Sequence, residues 1–272
     1  MNYKRILTIQ DISCVGQCSL TVALPIISAC GVECAILPSA VLSTHTGGFS
    51  NFTFCDLTEE IPKIHNHWRE EKISFDAIYT GYLGSTKQID YVKAIMDAEK
   101  TVNIIDPVFA DHGKLYYGFD LEYVAGMKKL IKTASFILPN ITEACFLTGT
   151  EYKENYDAEY IEMLLDSLSK ITDGTVILTG VSYEEGKTGV IVYKDKEKLY
   201  YEHKKIDKSY HGTGDIFASA FTGAYMGGKS AFEAAKIAAD YTISCIEETA
   251  MDDSHWYGVK FEKTLPKLIE ML

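Results

Sequence analysis

The chain has 272 residues, 47% of them hydrophobic and 24% charged, which is the balance of a globular protein long enough to bury a sizeable core. A formal net charge of −12 and a pI of about 5.1 set its surface against DNA and anionic membranes, so nucleic-acid and membrane roles are disfavoured. A small anionic ligand would need a local positive site made from backbone N–H groups, a metal or a few basic side chains. No secretory signal is read at the start of the chain, and no stretch approaches the ~18 apolar residues of a membrane span. The seven cysteines are odd in number and lack zinc-knuckle spacing, so they read as reduced thiols in a cytoplasmic protein.

Along the chain, short apolar runs alternate with segments of helical periodicity. "RILTIQ", "VECAIL", "FDAIYT", "TVNIID", "SFILP" and "TVILTG" read as strands. Between them "SLTVALPIISACG", "LTEEIPKIHNHWREE", "TKQIDYVKAIMDAEK", "LEYVAGMKKLIKTA" and "DAEYIEMLLDSLSKI" read as helices; in the last, Ile161, Leu164, Leu165 and Leu168 share a face. His65 and His67, two apart on a charged helix, read as solvated. "KTGVIVYKDKEKLYYEHKKI" reads as an edge hairpin with a charged turn. The pattern predicts an α/β fold: a central, mostly parallel sheet with helices on both faces, an edge hairpin and a small flap around residues 39–55. With no linker and no repeat, residues 1–272 read as one domain.

"HGTGDIFASAFTGAYMGGKS", residues 211–230, offers two phosphate-binding readings. Gly223 to Ser230 fits G-x-x-x-x-G-K-[ST], which would make Lys229 the lysine of a P-loop NTPase. A P-loop follows a buried strand, however, and here the preceding residues read as a tightly packed helix ending at Gly227-Gly228. Ser230 and Glu233 read as the capping box of the next helix. Gly212-Thr213-Gly214-Asp215 opens the packed helix, where free N–H groups favour an anion. An anion cradle and a plain glycine turn with Asp215 in a dipole-favoured position fit it about equally. Other segments tip the balance. Asn140 and Glu143 in "LPNITEACFLTG" are spaced to share one helical face near a hydrated magnesium ion, or to form a helix cap. "IIDPVFADHG" ends a strand at Asp106, at the sheet edge where open α/β folds bind ligands.

Together these segments resemble the ribokinase superfamily, and within it the pyridoxal kinase branch. "RILTIQDISCVGQCS", "VLSTHTGGFSNFTF", "YTGYLGS", "DPV", "PNITE", "VILTG" and "HGTGD" follow in that family's order over nearly the whole chain. The resemblance implies a single ribokinase-like domain that phosphorylates the 5′-hydroxymethyl group of a B6 vitamer with ATP and Mg2+. It implies Asp215 as general base, with the backbone N–H groups of Gly212, Thr213 and Gly214 facing the transferring phosphoryl group. Asp106, Asp111, Asn140, Glu143 and Thr179 would bind ATP, Asp106 and Glu143 as metal ligands. Asp11, His45, Thr46 and Tyr82 would contact the vitamer, and a homodimer is implied. The sequence departs from the family at Asp11, where a serine is usual, and at Thr44, Leu138 and His211. An ionised aspartate only accepts hydrogen bonds, so Asp11 is expected to favour pyridoxamine. The sibling reading is a hydroxymethylpyrimidine kinase of the same fold. A non-catalytic nucleotide-binding regulator is disfavoured by the intact Asp215.

Overall fold

The computed structural model describes residues 3–208 and 210–272; Met1, Asn2 and Ser209 lie outside the described residues. In chain order the first elements are β1 (Arg5–Ser13), α1 (Leu20–Ala29), β2 (Glu33–Leu42), β3 (Phe54–Asp56), α2 (Ile61–Glu70) and β4 (Ala77–Thr80). Next come α3 (Thr86–Glu99), β5 (Val102–Ile105), β6 (Ala110–Asp111), β7 (Lys114–Leu115), α4 (Leu121–Leu130), β8 (Phe136–Ile137), α5 (Ile141–Thr148) and α6 (Ala158–Leu168). The last are β9 (Thr175–Val181), β10 (Lys187–Lys194), β11 (Glu197–Lys204), α7 (Thr213–Met226), α8 (Ala231–Ala250) and α9 (Leu265–Met271). The chain divides into two compact units, Met1–Gly81 with Ile206–Leu272 and Tyr82–Lys205.

In the first unit the strands run in the order β4-β1-β2-β3, with β1 parallel to β2 and β4, and β3 antiparallel on β2. Ile6, Leu7 and Ile9 of β1 are fully buried, the continuous apolar run of a strand covered on both faces. Pairing with β2 goes out of register between Gln10 and Ile12, an irregularity of the kind that re-aims side chains beside functional sites. Helix α7 packs along α1 and α8. It can do so because its buried side is Ala218, Ser219, Ala220, Gly223 and Ala224; a Cβ on Gly223 would collide with the Cys30 thiol. The expected flap is the antiparallel β2–β3 pair and its connecting loop. His65 corrects the sequence reading: it stands four residues after Ile61 on the inner side of α2 and is 6% exposed, whereas His67 is exposed. Period 3.6 put His65 in phase with the buried isoleucine, which the comparison of His65 with His67 alone overlooked.

In the second unit the order is β11-β10-β9-β8-β5, with β5, β8 and β9 parallel. The predicted hairpin is β10–β11, antiparallel throughout, turning at Asp195-Lys196 with φ of 51° and 67°, the backbone of a tight hairpin turn. The run read as "SFILP" gives only Phe136–Ile137 as strand, because Pro139 offers no N–H to a ladder and Asn140 already caps α5. The small β6–β7 ribbon, Asp111 paired with Lys114, was not foreseen. A mostly parallel α/β architecture with an edge hairpin is thus borne out. Among the described residues no helix is long and apolar enough to cross a membrane.

Candidate active site

In the first unit, the segment after β1 is bent by an unusual backbone: Gly16, Gln17 and Ser19 all have positive φ. This bend lies against the start of α7. Gly212 is the N-cap of α7 with φ 83°, and a Cβ there would collide with the Gln17 carbonyl. Only glycine fits both the left-handed backbone and the close approach. Thr213, Gly214 and Asp215 then form the first turn, where N–H groups point outward without helical partners. The bend therefore fixes the cradle that the sequence motif suggested.

Asp215 is half-buried, and its carboxyl is pushed up to about 7. Burial is the main cause, and the charge of Asp11 adds to it; a hydrogen bond from the Ser19 backbone N–H opposes both. A carboxylate near 7 suits a general base at neutral pH. Asp11 is itself 4% exposed and raised by burial, while its oxygens accept from the Ser13 hydroxyl at 2.9 Å and from the Ser19 hydroxyl. These hydroxyls engage part of its acceptor capacity, since an ionised carboxylate offers about four lone-pair sites. Cys18 lies beside these carboxylates; burial first, then Asp215 and Asp11, keeps its thiol protonated.

His45 differs from its expected role. Its Nδ1 accepts from Gly47 N–H at 3.0 Å, and its Nε2 lies 2.7 Å from the Tyr257 carbonyl. These partners assign the proton to Nε2 and leave neither nitrogen for a substrate ring. His45 is buried as a clamp between the 43–49 loop and the chain near Tyr257, while Thr46 beside it is exposed. Further residues complete this wall. The His211 ring sits 5.0 Å from that of His45, and Trp256 lies tilted against Phe49 at 4.8 Å. His255 Nε2 meets Gln17 Oε1 at 2.8 Å, and Gln17 donates to Glu262. More than 150 residues separate these partners, so no local pattern could have revealed them.

The second unit gathers the residues expected at the nucleotide. Asn140 caps α5, and it forms a reciprocal capping box with Glu143. Glu143 is 3% exposed; Oε2 accepts from Asn140 N–H at 2.9 Å and Oε1 from Phe109 N–H at 3.0 Å. The Asn140 amide in turn donates to the Ala110 carbonyl at 2.8 Å, and Thr179 bridges to Asn140 from β9. Asp106 is buried just past the end of β5, and Asp111 stands half-exposed in the β6–β7 ribbon. Burial lifts the Glu143 carboxyl well above the usual range and Asp111 adds to the lift. A carboxylate raised by burial and by a neighbouring carboxylate fits a divalent cation, since its charge would relieve the repulsion. Among the described residues no three His, Cys, Asp or Glu side chains converge as a complete metal cage. Tyr82 belongs to this unit, its ring 5.5 Å from Phe119.

The P-loop reading does not hold. The residues before Gly227 are helix α7, Gly228 has φ 103°, and the Ser230 hydroxyl is spent on its capping box with Glu233.

The profile of the family described as phosphomethylpyrimidine kinase matches residues 24–258. The chain belongs to that family. Within it, a Bacteroides thetaiotaomicron protein named as a candidate phosphomethylpyrimidine kinase, solved with pyridoxal, is 37% identical, with a TM-score of 0.91 over 98% of this chain and 96% of its own. The pyridoxal kinase of Lactobacillus plantarum is 30% identical with a TM-score of 0.93, over 98% and 97% of the two chains. The pyridoxal kinase of Dictyostelium discoideum is 26% identical over 238 residues, 80% of this chain and 77% of its own. The likeness to these solved relatives shows the ribokinase-like fold.

Proposed function

We propose that this kinase transfers the γ-phosphoryl group of ATP to the 5′-hydroxymethyl group of a B6 vitamer, with Asp215 as the general base. The observation that carries the reading is the Asp215 carboxyl itself, pushed up to about 7 directly after Gly212-Thr213-Gly214 at the start of α7. It takes the hydroxyl proton as the oxygen attacks the γ-phosphorus, and the bond to the bridging β–γ oxygen breaks to leave ADP. Backbone N–H groups of Gly212, Thr213 and Gly214 stabilise the charge spread over the transferring group. Asp106, Asp111, Asn140, Glu143 and Thr179 serve the nucleotide end. Asp106 and Glu143, with Asp111 nearby, would hold magnesium, which would supply neutralisation of the phosphate charge. The exposed Thr46 contacts the vitamer, and His45 shapes that wall without bonding to the ring. Relatives that bear the name pyridoxal kinase, and one solved with pyridoxal, support the choice of ring.

A second substrate, hydroxymethylpyrimidine, is favoured by the family's own description. Both substrates present a primary alcohol on a nitrogen heterocycle, so the same base serves either. The test is ADP formation with Mg-ATP and pyridoxal, pyridoxamine, pyridoxine or hydroxymethylpyrimidine. The highest kcat/KM is expected with a B6 vitamer. A pyrimidine preference would overturn the ring assignment, and no turnover with any of the four would overturn the kinase reading.

A further inference from the structure

The wall beside the cradle holds two imidazoles, and only one of them has its nitrogens committed. His45 bonds through both, to the Gly47 N–H and the Tyr257 carbonyl. The His211 ring lies 5.0 Å from it, tilted by 46°. Among the described residues neither nitrogen of His211 has a hydrogen-bond partner, and the residue is exposed. The ring is nevertheless held in place. A Cβ on Gly47 would fall 2.5 Å from His211 Cε1 and 2.6 Å from its Nδ1, so the 43–49 loop runs directly against the imidazole and only glycine leaves room for it. Partial burial, and then His45, hold the His211 ring below the usual histidine range. It is therefore neutral at pH 7, with one N–H donor and one nitrogen acceptor. It is joined to the cradle by a single peptide bond, since Gly212 follows it. An exposed histidine is ordinarily a mobile, solvated ring. One fixed by packing, with both nitrogens unused beside an anion cradle, is a hydrogen-bonding group set in advance for a ligand.

We propose that His211 is a specificity-determining residue of the substrate site: its imidazole exchanges a hydrogen bond with the ring substituent that lies next to the phosphorylated hydroxymethyl group. The proposal rests on the reading of Asp215 as the base of a B6 vitamer kinase. Asp215 and the cradle fix the hydroxymethyl end of the substrate, and His211, adjoining the cradle, serves the neighbouring position of the ring. In the B6 vitamers that position carries the 4′ group, the one place where they differ. The aldehyde oxygen of pyridoxal only accepts a hydrogen bond, the ammonium group of pyridoxamine only donates, and the alcohol of pyridoxine does both. In hydroxymethylpyrimidine the same position carries an amine. A neutral imidazole satisfies each of these by its choice of tautomer, whereas a carboxylate or an ammonium side chain would leave some of them unpaired. The 4′ group is thus assigned to His211, and a site that takes several vitamers follows from an imidazole with both nitrogens open. Gly47 acts with it, because its missing Cβ is the space in which the imidazole stands.

The test removes the two partners of that bond separately. KM and kcat are measured for pyridoxal, pyridoxamine, pyridoxine and 4-deoxypyridoxine, in which a methyl group replaces the 4′ polar group, with the native protein, His211→Val and Gly47→Ala. His211→Val should raise KM for the three vitamers about fivefold, the scale of one hydrogen bond. It should change KM for 4-deoxypyridoxine by less than about twofold, since no bond to a methyl group is lost. Gly47→Ala keeps the imidazole but displaces it, and should show the same selective rise. Equal rises for all four substrates would make His211 a packing residue and overturn the proposal, and so would unchanged KM for every one. If His211→Val does not fold, His211→Asn and Gly47→Ala decide. Asparagine keeps a donor and an acceptor, so near-native KM in that variant, with a selective rise in Gly47→Ala, supports the proposal; an unselective rise in Gly47→Ala overturns it. Near-normal turnover in Asp215→Asn, or turnover of hydroxymethylpyrimidine alone by the native protein, would sink the reading beneath this one and the proposal with it. A normal loss at Asp215 with an unselective effect at His211 overturns the proposal alone.

Discussion

Burial raises two carboxylates of this molecule, Asp215 in the first unit and Glu143 in the second, and they differ in what holds them. Asp215 keeps partial exposure, and one backbone N–H at Ser19 opposes its rise. Both oxygens of Glu143 are occupied by backbone N–H groups, and the side chain is almost wholly enclosed. The first arrangement leaves lone pairs and access for a proton from outside. The second spends the carboxylate on joining the start of α5 to the chain after β5. A raised carboxyl is therefore open to proton transfer in one place and part of the architecture in the other, and the hydrogen-bond partners tell them apart.

The sharpest way to break this contrast is to neutralise each group. Asp215→Asn should lower kcat ~10²-fold or more, the usual scale for a positioned base, while melting temperature and ATP binding stay near native. Near-normal turnover would end its assignment as base. Glu143→Ala should show the reverse profile first: a loss of about 2 kcal/mol in urea denaturation, as two buried N–H groups lose their acceptor. Unchanged stability in that variant would erase the difference between the two sites. His45→Ala tests whether the first unit's wall is built by the clamp. Removing the ring strands the Tyr257 carbonyl and Gly47 N–H, so stability should fall by about 1 kcal/mol and KM for the vitamer should rise several-fold together. A KM effect without any stability loss would restore the direct vitamer contact first expected of His45. The smallest effect is expected at Lys229, where Lys229→Ala should change kcat and ATP affinity by less than about threefold, since its neighbours are a helix end and a capping box. Loss of ATP binding there would revive the P-loop.

The features legible in the sequence were those written in local chemistry. The period of "DAEYIEMLLDSLSKI" gave α6, the charged turn gave the β10–β11 hairpin, and Ser230 with Glu233 exposed the false P-loop. Asn140 and Glu143 were legible as a pair, although spacing alone could not separate a cap from a metal site; the structure has the cap. What stayed hidden depends on long-range contact or on backbone sign. The nitrogens of His45 are committed by Tyr257, far along the chain. Ser19 reads as an ordinary helix cap until its φ is known. Asp11 reads as a pocket carboxylate until Ser13 and Ser19 are seen to engage part of it.

The most direct test of the central claim is the pH profile of kcat for the native protein with saturating Mg-ATP and vitamer. Asp215 must be deprotonated to accept the hydroxyl proton, and its carboxyl is pushed up to about 7. Turnover should therefore rise with pH through the neutral range, as a single ionisation, and level off above it, and Asp11→Asn should move that rise to lower pH by removing a neighbouring negative charge. A kcat already level from the ordinary carboxylate range upward, unmoved by Asp11→Asn, would contradict the account.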